Sequence, residues 1–223
     1  MSRDFDWSAF LFLLGALRWT VVLSLIAFVG GGVGGLLLAI ARTSSIAILR
    51  WLAALYIGLI QGTPLLMQLF LSYYGLAVMT GIRIDPWPAV TLAFTMYAAA
   101  FLGEIWRGSI QAVPRQQWEA AAAIPLFPLA QLRYVILPQA FRIAIPPTVG
   151  FLVQLIKGTS IASIIGFVEL TRAGQLIVNV TFQPMVVYPL VATFYFALCW
   201  PLSLYATRLE RKIDATHGIK QHP

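Results

Sequence analysis

The chain has 223 residues, of which 60% are hydrophobic and only 10% charged, with a formal net charge of +7 and a mean hydropathy of +0.83. A soluble domain carries about a quarter charged residues and just under half apolar ones, so this composition excludes the ordinary globular classes and describes an integral membrane protein. Cys199 is the single cysteine, and His217 and His222 both fall in the polar tail, which excludes an internal disulfide and a Cys/His metal site.

The N-terminus carries Asp4 and Asp6 and has no small-residue cleavage site after a short apolar core, so no removable signal peptide is expected. Residues 1–18 read as an outer or interfacial segment, with Trp7 to Leu17 at the membrane surface and Arg18 separating it from the first long apolar run, Trp19 to Ala41. Within that run Gly30 and Gly34, and likewise Gly31 and Gly35, share a helix face on which missing side chains let another backbone approach closely. Arg42 and Arg50 bracket the polar turn Thr43-Ser44-Ser45. A second apolar run goes from Trp51 to Met79, a turn from Gly81 to Pro86 follows, and a third run goes from Trp87 to Trp106.

Arg107 to Pro138 breaks the apolar pattern with charges, glutamines and the prolines 114, 125, 128 and 138. A fourth apolar segment starts near Pro146-Pro147 and reaches Ile156. Lys157-Gly158-Thr159-Ser160 and a mixed stretch through Glu169, Arg172 and Asn179 come next, before a fifth run from Val186 to Tyr205. At ~20 residues per span this gives an all-α integral membrane protein of about five transmembrane helices. The expected layout is one membrane domain over 19–209 and a cytoplasmic tail over 210–223.

Arg42, Arg50, Arg107, Arg115, Arg133, Arg142, Arg208, Arg211, Lys212 and Lys220 fall on one side of that layout, and Arg3, Arg83, Lys157 and Arg172 on the other. The positive-inside rule then places the N-terminus outside and the C-terminus in the cytoplasm, consistent with an odd number of spans. Basic residues scattered between apolar runs, rather than gathered on one soluble face, argue against nucleic acid as a partner and leave membrane lipid. Neither a GxxxxGK[ST] phosphate loop nor a Ser/His/Asp or Cys/His set can be assembled, so no catalytic residue, no metal and no cofactor bound by this chain is expected.

The segment 113–138 projects from the membrane. Glu119 to Ala123 is a strong helix former with Pro114 before it and Pro125 ending it. Pro128 opens a second short helix through about Val135, closed by Pro138. Two short helices held outside the bilayer by a span at each end suit either docking into a groove on another protein or resting on the lipid surface.

Glu119-Ala120-Ala121 followed by Ile136-Leu137-Pro138 resembles the EAA signature of bacterial ABC importer permeases. Gln61-Gly62-Thr63-Pro64 through Phe70, Gly103-Glu104-Ile105-Trp106-Arg107-Gly108 and Lys157-Gly158-Thr159-Ser160 resemble the polar amino acid branch of that family, and the similarity runs from about residue 11 to residue 212. The resemblance implies a five-helix permease subunit of a type I importer in the bacterial inner membrane, paired with an identical or homologous permease. It also implies two ATP-binding subunits, carrying the ATP and Mg, and a periplasmic or tethered substrate-binding protein. Glu119, Ala120, Ala121, Pro125, Leu137 and Pro138 would then form the ATPase coupling element. The chain departs from the family pattern at Pro125, where glycine is usual, and at Gly158, where many relatives carry an acidic residue.

Polar groups inside apolar spans are the pathway candidates, since burying them costs free energy unless they are paired or hydrated. Gln61, Gln68 and Ser72, at spacings that share one helix face, with Thr63 beside the break at Pro64, either line a polar cavity or bond between helices. Glu104, three residues before Arg107, either forms an intrahelical ion pair or meets a substrate ammonium. Lys157, Thr159 and Ser160 form either a gate or an outer cap beside Gly158. Glu119 either accepts hydrogen bonds at its helix N-terminus or pairs with a basic residue of the ATPase. The competing reading is a passive channel or ion-coupled secondary transporter, and a third is a structural scaffold. A cytoplasmic two-helix projection is what neither of these needs.

Overall fold

The computed structural model describes residues 4–81, 85–125 and 127–217. Arg3, Arg83, Lys220 and His222, which enter the charge and metal readings above, lie outside them. Helix α1, Trp7–Thr43, begins where the Asp6 carboxylate accepts from the Ala9 N–H at 2.9 Å and satisfies a first-turn donor. It runs unbroken through Arg18, correcting the expectation of a separate surface segment ending there. A charged side chain does not disturb backbone hydrogen bonds, and the Arg18 guanidinium lies 4.7 Å from the centre of the Trp19 ring, a cation–π contact.

The glycines of α1 do what their spacing implies. Helix α4, Pro86–Gln111, lies so close that a Cβ on Gly31 would stand 2.3 Å from the Ala98 Cβ, and one on Gly35 would stand 2.9 Å from the Gly103 nitrogen. The two helices therefore run side by side in the same direction. They bury Leu23, Ala27, Phe94, Ala98 and Leu102 together with Phe151 and Leu155 from farther along the chain.

Between them come α2, Ala47–Gln61, and α3, Leu65–Thr80, bent by 100° at the break Gly62–Pro64. Pro64 cannot continue α2, because it lacks an N–H and pushes the preceding residue out of the helical region. The expected single run from Trp51 to Met79 is thus a broken pair. Gly81 closes α3 at φ 68°, the left-handed conformation glycine adopts without strain.

Helix α5, Arg115–Ala122, follows Pro114, and α6, Pro128–Gln131, opens on its own proline. From α6 the chain does not stop at Pro138. A π-helical turn over Leu132–Ile136 passes straight into α7, Leu137–Gly158. The Leu137 N–H reaches back five residues to the Leu132 carbonyl. Widening the turn just ahead of Pro138 relieves the clash its ring would make in an ordinary α-helical turn. Pro146 and Pro147, expected to start the fourth segment, also sit inside α7. Packing of neighbouring helices holds the segment helical despite two missing backbone donors. A 3-10 turn, Thr159–Ile165, continues to Gly166 at φ 86°. Helices α8, Leu170–Thr181, and α9, Pro184–His217, complete the chain.

Among the described residues four helical stretches are long and apolar enough to cross a membrane, and the bent pair α2–α3 supplies a fifth if it counts as one span. No more than 50% of any of the four is buried within the chain, so much apolar helix surface is left for lipid or other subunits.

Candidate functional site

The break between α2 and α3 separates Gln61 from Gln68, so these two and Ser72 do not share a helix face as their spacing suggested. Gln61 ends α2, exposed. Gln68, on the first turns of α3, reaches back across the bend, and its Nε2 donates to the Ile60 carbonyl at 2.7 Å and to Thr63 Oγ1 at 3.0 Å. Thr63 Oγ1 in turn donates to the Leu59 carbonyl at 2.8 Å. The last carbonyls of α2 lack helical donors once Pro64 ends it, and these two side chains supply them. Gln68 Oε1 is buried with no hydrogen-bond partner among the described residues, an acceptor beside the bend.

Glu104 is committed to Arg107. Arg107 Nε donates to Glu104 Oε2 at 2.8 Å, and a second bond joins Arg107 Nη2 to Glu104 Oε1. This is the intrahelical ion pair that the i,i+3 spacing allows. Both carboxylate oxygens are occupied by the guanidinium fork.

The Lys157–Ser160 stretch marks where α7 tightens into a 3-10 turn. Thr159 is fully buried and its Oγ1 donates to the Ile156 carbonyl at 2.7 Å, whereas Ser160 Oγ donates to the Lys157 carbonyl at 2.8 Å. Lys157 and Ser160 face an open groove of about 470 Å³ between α7 and α9, shared with Tyr195, Cys199 and Ser203. A Cβ on Gly158 would meet Leu65 at 3.7 Å and Phe94 at 3.9 Å, so a side chain at this position would point at α3 and α4. Gln154, exposed one turn before Gly158, approaches the Tyr97 hydroxyl at 3.5 Å. These two polar groups within apolar spans were not singled out from sequence, although Gln154 lies three residues before Lys157 on the same helix face.

At the far end of α7 the segment 113–138 is fixed on one side and open on the other. Ala121 is buried, Val113 packs with Ile136 and Ala140, and Gln139 Nε2 donates to Gln117 Oε1 at 3.2 Å, tying α5 to α7. Ala120, Pro125, Leu137 and Pro138 are exposed. Glu119 lies in the body of α5, since that helix starts at Arg115. It does not cap a helix N-terminus but pairs with Arg115 at 3.1 Å in full view of solvent. Trp118, Ile124, Phe127, Leu129 and Tyr134 expose apolar surface around it.

Glu169 was read from sequence only as part of a mixed stretch, with no site role. It is 0% exposed and caps α8, accepting from the Thr171 and Arg172 N–H groups, each at 2.8 Å, and from the Tyr195 hydroxyl at 2.8 Å. Thr20 of α1 accepts from the adjacent Leu170 N–H at 3.1 Å, so α1 and α9 both bond to the start of α8. Burial pushes the Glu169 carboxyl above the usual range, with the three donors pulling it part of the way back.

A bundle of long apolar helices with a broken helix pair and an amphipathic projection is the frame of a multi-pass transport subunit. Residues 31–215 match the family of binding-protein-dependent transport system inner membrane components, and the chain belongs to that family. It is 40% identical over 203 residues to the L-cystine transport system permease protein TcyB of Bacillus subtilis, covering 91% of this chain and 86% of that protein. It is 36% identical over 216 residues to the glutamine transport system permease protein GlnP of Shigella flexneri, covering 94% and 98%. A crystal structure of an amino acid ABC transporter with histidines superposes with a TM-score of 0.86 at 32% identity, covering 94% of this chain and 100% of that one. An inward-facing structure of the MetNI methionine ABC transporter shares the fold, with a TM-score of 0.74 at 20% identity over 94% and 99%. The chain is a permease subunit of an ABC importer and not itself an ATPase.

Proposed function

We propose that this chain forms the translocation path for a polar amino acid or a closely related compound in the bacterial inner membrane. In this reading α2 and α3 form one broken span among five, the N-terminus lies outside and the C-terminus lies in the cytoplasm. A second permease chain, identical or homologous, completes the path. Two ATP-binding subunits dock on the cytoplasmic side, and a periplasmic or tethered binding protein delivers the substrate. The observation that carries the reading is the half-fixed, half-open coupling segment. In this reading a displacement of α5 passes through the Gln117–Gln139 hydrogen bond and the adjoining π turn to α7, which leads to Lys157 and Ser160 at its opposite end.

ATP binding that draws two ATPase subunits together then moves α5 with them and rocks α7 against α9, opening the groove to one side and then the other. Glu119, Ala120, Ala121, Pro125, Leu137 and Pro138 transmit the movement. Lys157 and Ser160 face the path, Gln61, Thr63 and Gln68 shape its wall at the bend, Thr159 holds the end of α7, and Glu104 is a fixed ion-paired element. The relatives named for L-cystine and glutamine support the substrate class.

The test is uptake of labelled glutamine and cystine into proteoliposomes holding the complex purified with its ATPase. Uptake only when ATP is supplied on the ATPase side is expected. Uptake that proceeds without ATP would place the chain with channels or secondary transporters instead.

A further inference from the structure

Helices α1 and α4 run in step. Gly31 faces Ala98, Gly35 faces Gly103, and the Trp19 ring stands edge-on to the Trp87 ring at 5.4 Å. The same offset puts Arg18 level with Pro86, where α4 begins and the Asp85 carboxylate accepts from the Trp87 N–H at 2.9 Å. That capped helix end, with Trp19, Trp87 and the adjoining Phe167 around it, has the make-up of a membrane–water interface.

Arg18 faces outward at this level. It is exposed, and its guanidinium, over the Trp19 ring, has no hydrogen-bond or ion-pair partner among the described residues. At 3.6 residues per turn, Leu11, Leu14, Leu25, Val29 and Leu36 lie within about 40° of it around α1. These five are 46% to 63% exposed. Arg42, the other charged residue of α1, lies on a different side, so Arg18 is the one charge on an otherwise apolar face. A guanidinium set in apolar surface at the edge of the bilayer calls for an anion. A protein partner would find no second polar group on this face, whereas a phospholipid brings a phosphate and apolar chains together.

We propose that Arg18 binds the phosphate of a membrane phospholipid whose acyl chains lie along Leu25 and Val29. Those two residues stand roughly 10 to 16 Å farther along α1 at 1.5 Å per residue, within the length of an acyl chain. The guanidinium presents its N–H groups in a planar fork that matches phosphate oxygens, and Trp19 beneath it leaves the fork pointing away from the bundle. Assignment to the outer leaflet rests on the orientation proposed above, but binding itself does not.

The test is native mass spectrometry of the complex, stripped of lipid in mild detergent and titrated separately with dioleoyl phosphatidylglycerol and with dioleoylglycerol, which has the same chains and no phosphate. The wild type is expected to retain one more phosphatidylglycerol per permease chain than Arg18→Gln, whose affinity at this site falls about tenfold with the loss of one charge-assisted hydrogen-bonding group. Retention of dioleoylglycerol is expected to be the same in both. Arg18→Lys, which keeps the charge without the fork, should fall between them. Phosphatidylglycerol retention untouched by Arg18→Gln overturns the proposal, and so does an equal loss of both lipids. Displacement of the extra lipid by excess inorganic phosphate would identify a free anion as the ligand and overturn the lipid assignment. Release of the second permease chain by Arg18→Gln with lipid retention unchanged would identify a protein acceptor and do the same.

Discussion

Glu169 shows how much a single side chain in this protein depends on distant parts of the chain. Its role as an N-cap is local and was open to reading, because an acidic residue stands directly before the amphipathic run Leu170–Thr181. Its burial was not, since one of its donors, Tyr195, comes from α9 and the neighbouring Leu170 N–H is held by Thr20 of α1. Removing the carboxylate strips a cap and takes from the Tyr195 hydroxyl one of its two partners, leaving Thr171 Oγ1. Glu169→Ala is expected to cost about 2 kcal/mol, and Tyr195→Phe, which removes one donor and keeps the cap, about 1 kcal/mol. Thermal unfolding of the purified protein orders the two, and a larger loss for Tyr195→Phe would deny the carboxylate its central place. The same group gives stability a pH dependence. The unfolded chain ionises it in the ordinary carboxylate range, whereas burial holds the folded carboxyl above that. Its contribution is therefore greatest below the ordinary carboxylate range and falls as pH rises through the raised folded value. A midpoint that declines across that window in the wild type and loses this slope in Glu169→Ala is expected. A wild-type midpoint that climbs there contradicts it.

Helices were legible in the sequence where periodicity and spacing act within one element, and less so where neighbours decide. The glycine face of α1 correctly implied a close backbone approach, because a missing Cβ has the same meaning whichever helix comes to meet it. Some prolines misled, because they were read as helix boundaries. Pro64 is one, and it turns the chain by 100°. Pro138 is not, because the π turn ahead of it re-registers the backbone, and Pro146 and Pro147 are not, because packed neighbours hold α7 together. Arg18 was read as a boundary by its charge alone. The α1–α4 contact gives a sharp test of packing. At Gly31 a side chain collides with Ala98 Cβ at 2.3 Å and with backbone atoms at 3.0 Å, which cannot rotate away, whereas at Gly15 nothing lies within 4 Å. Gly31→Val is expected to destabilise by about 3 kcal/mol or more and to reduce the yield of monodisperse protein, with Gly15→Ala close to wild type. Equal behaviour of the two variants in thermal unfolding and gel filtration would mean the helices do not approach in this way.

At the scale of the whole molecule, membrane class, the long apolar helices and the two short helices around Glu119 followed from composition, apolar runs and proline placement, since each is a property of the chain read in order. The pathway did not follow as readily. Thr159 and Ser160 are adjacent in sequence, yet one is fully buried and the other faces the α7–α9 groove, a division made by how α7 tightens into its 3-10 turn. The coupling segment offers the cleanest separation of assembly from activity. Arg115 and Glu119 are 90% and 65% exposed, so their mutual attraction is screened by water and contributes little to folding. Glu119→Lys replaces it with a like-charge i,i+4 pair, a penalty of roughly 0.3–0.5 kcal/mol on an exposed helix. The Gln117–Gln139 hydrogen bond and the buried Ala121 are untouched. Membrane insertion, pairing with the second permease and thermal midpoint are therefore expected to stay near wild type. A lysine offered to a basic docking surface on the ATPase should lower both ATPase co-purification and ATP-driven uptake, by about tenfold or more for a reversed contact in a desolvated interface. Uptake at the original rate would show that the permease is driven through some other surface, and the exposed apolar residues Phe127, Leu129 and Tyr134 on the neighbouring turns would be the next place to look.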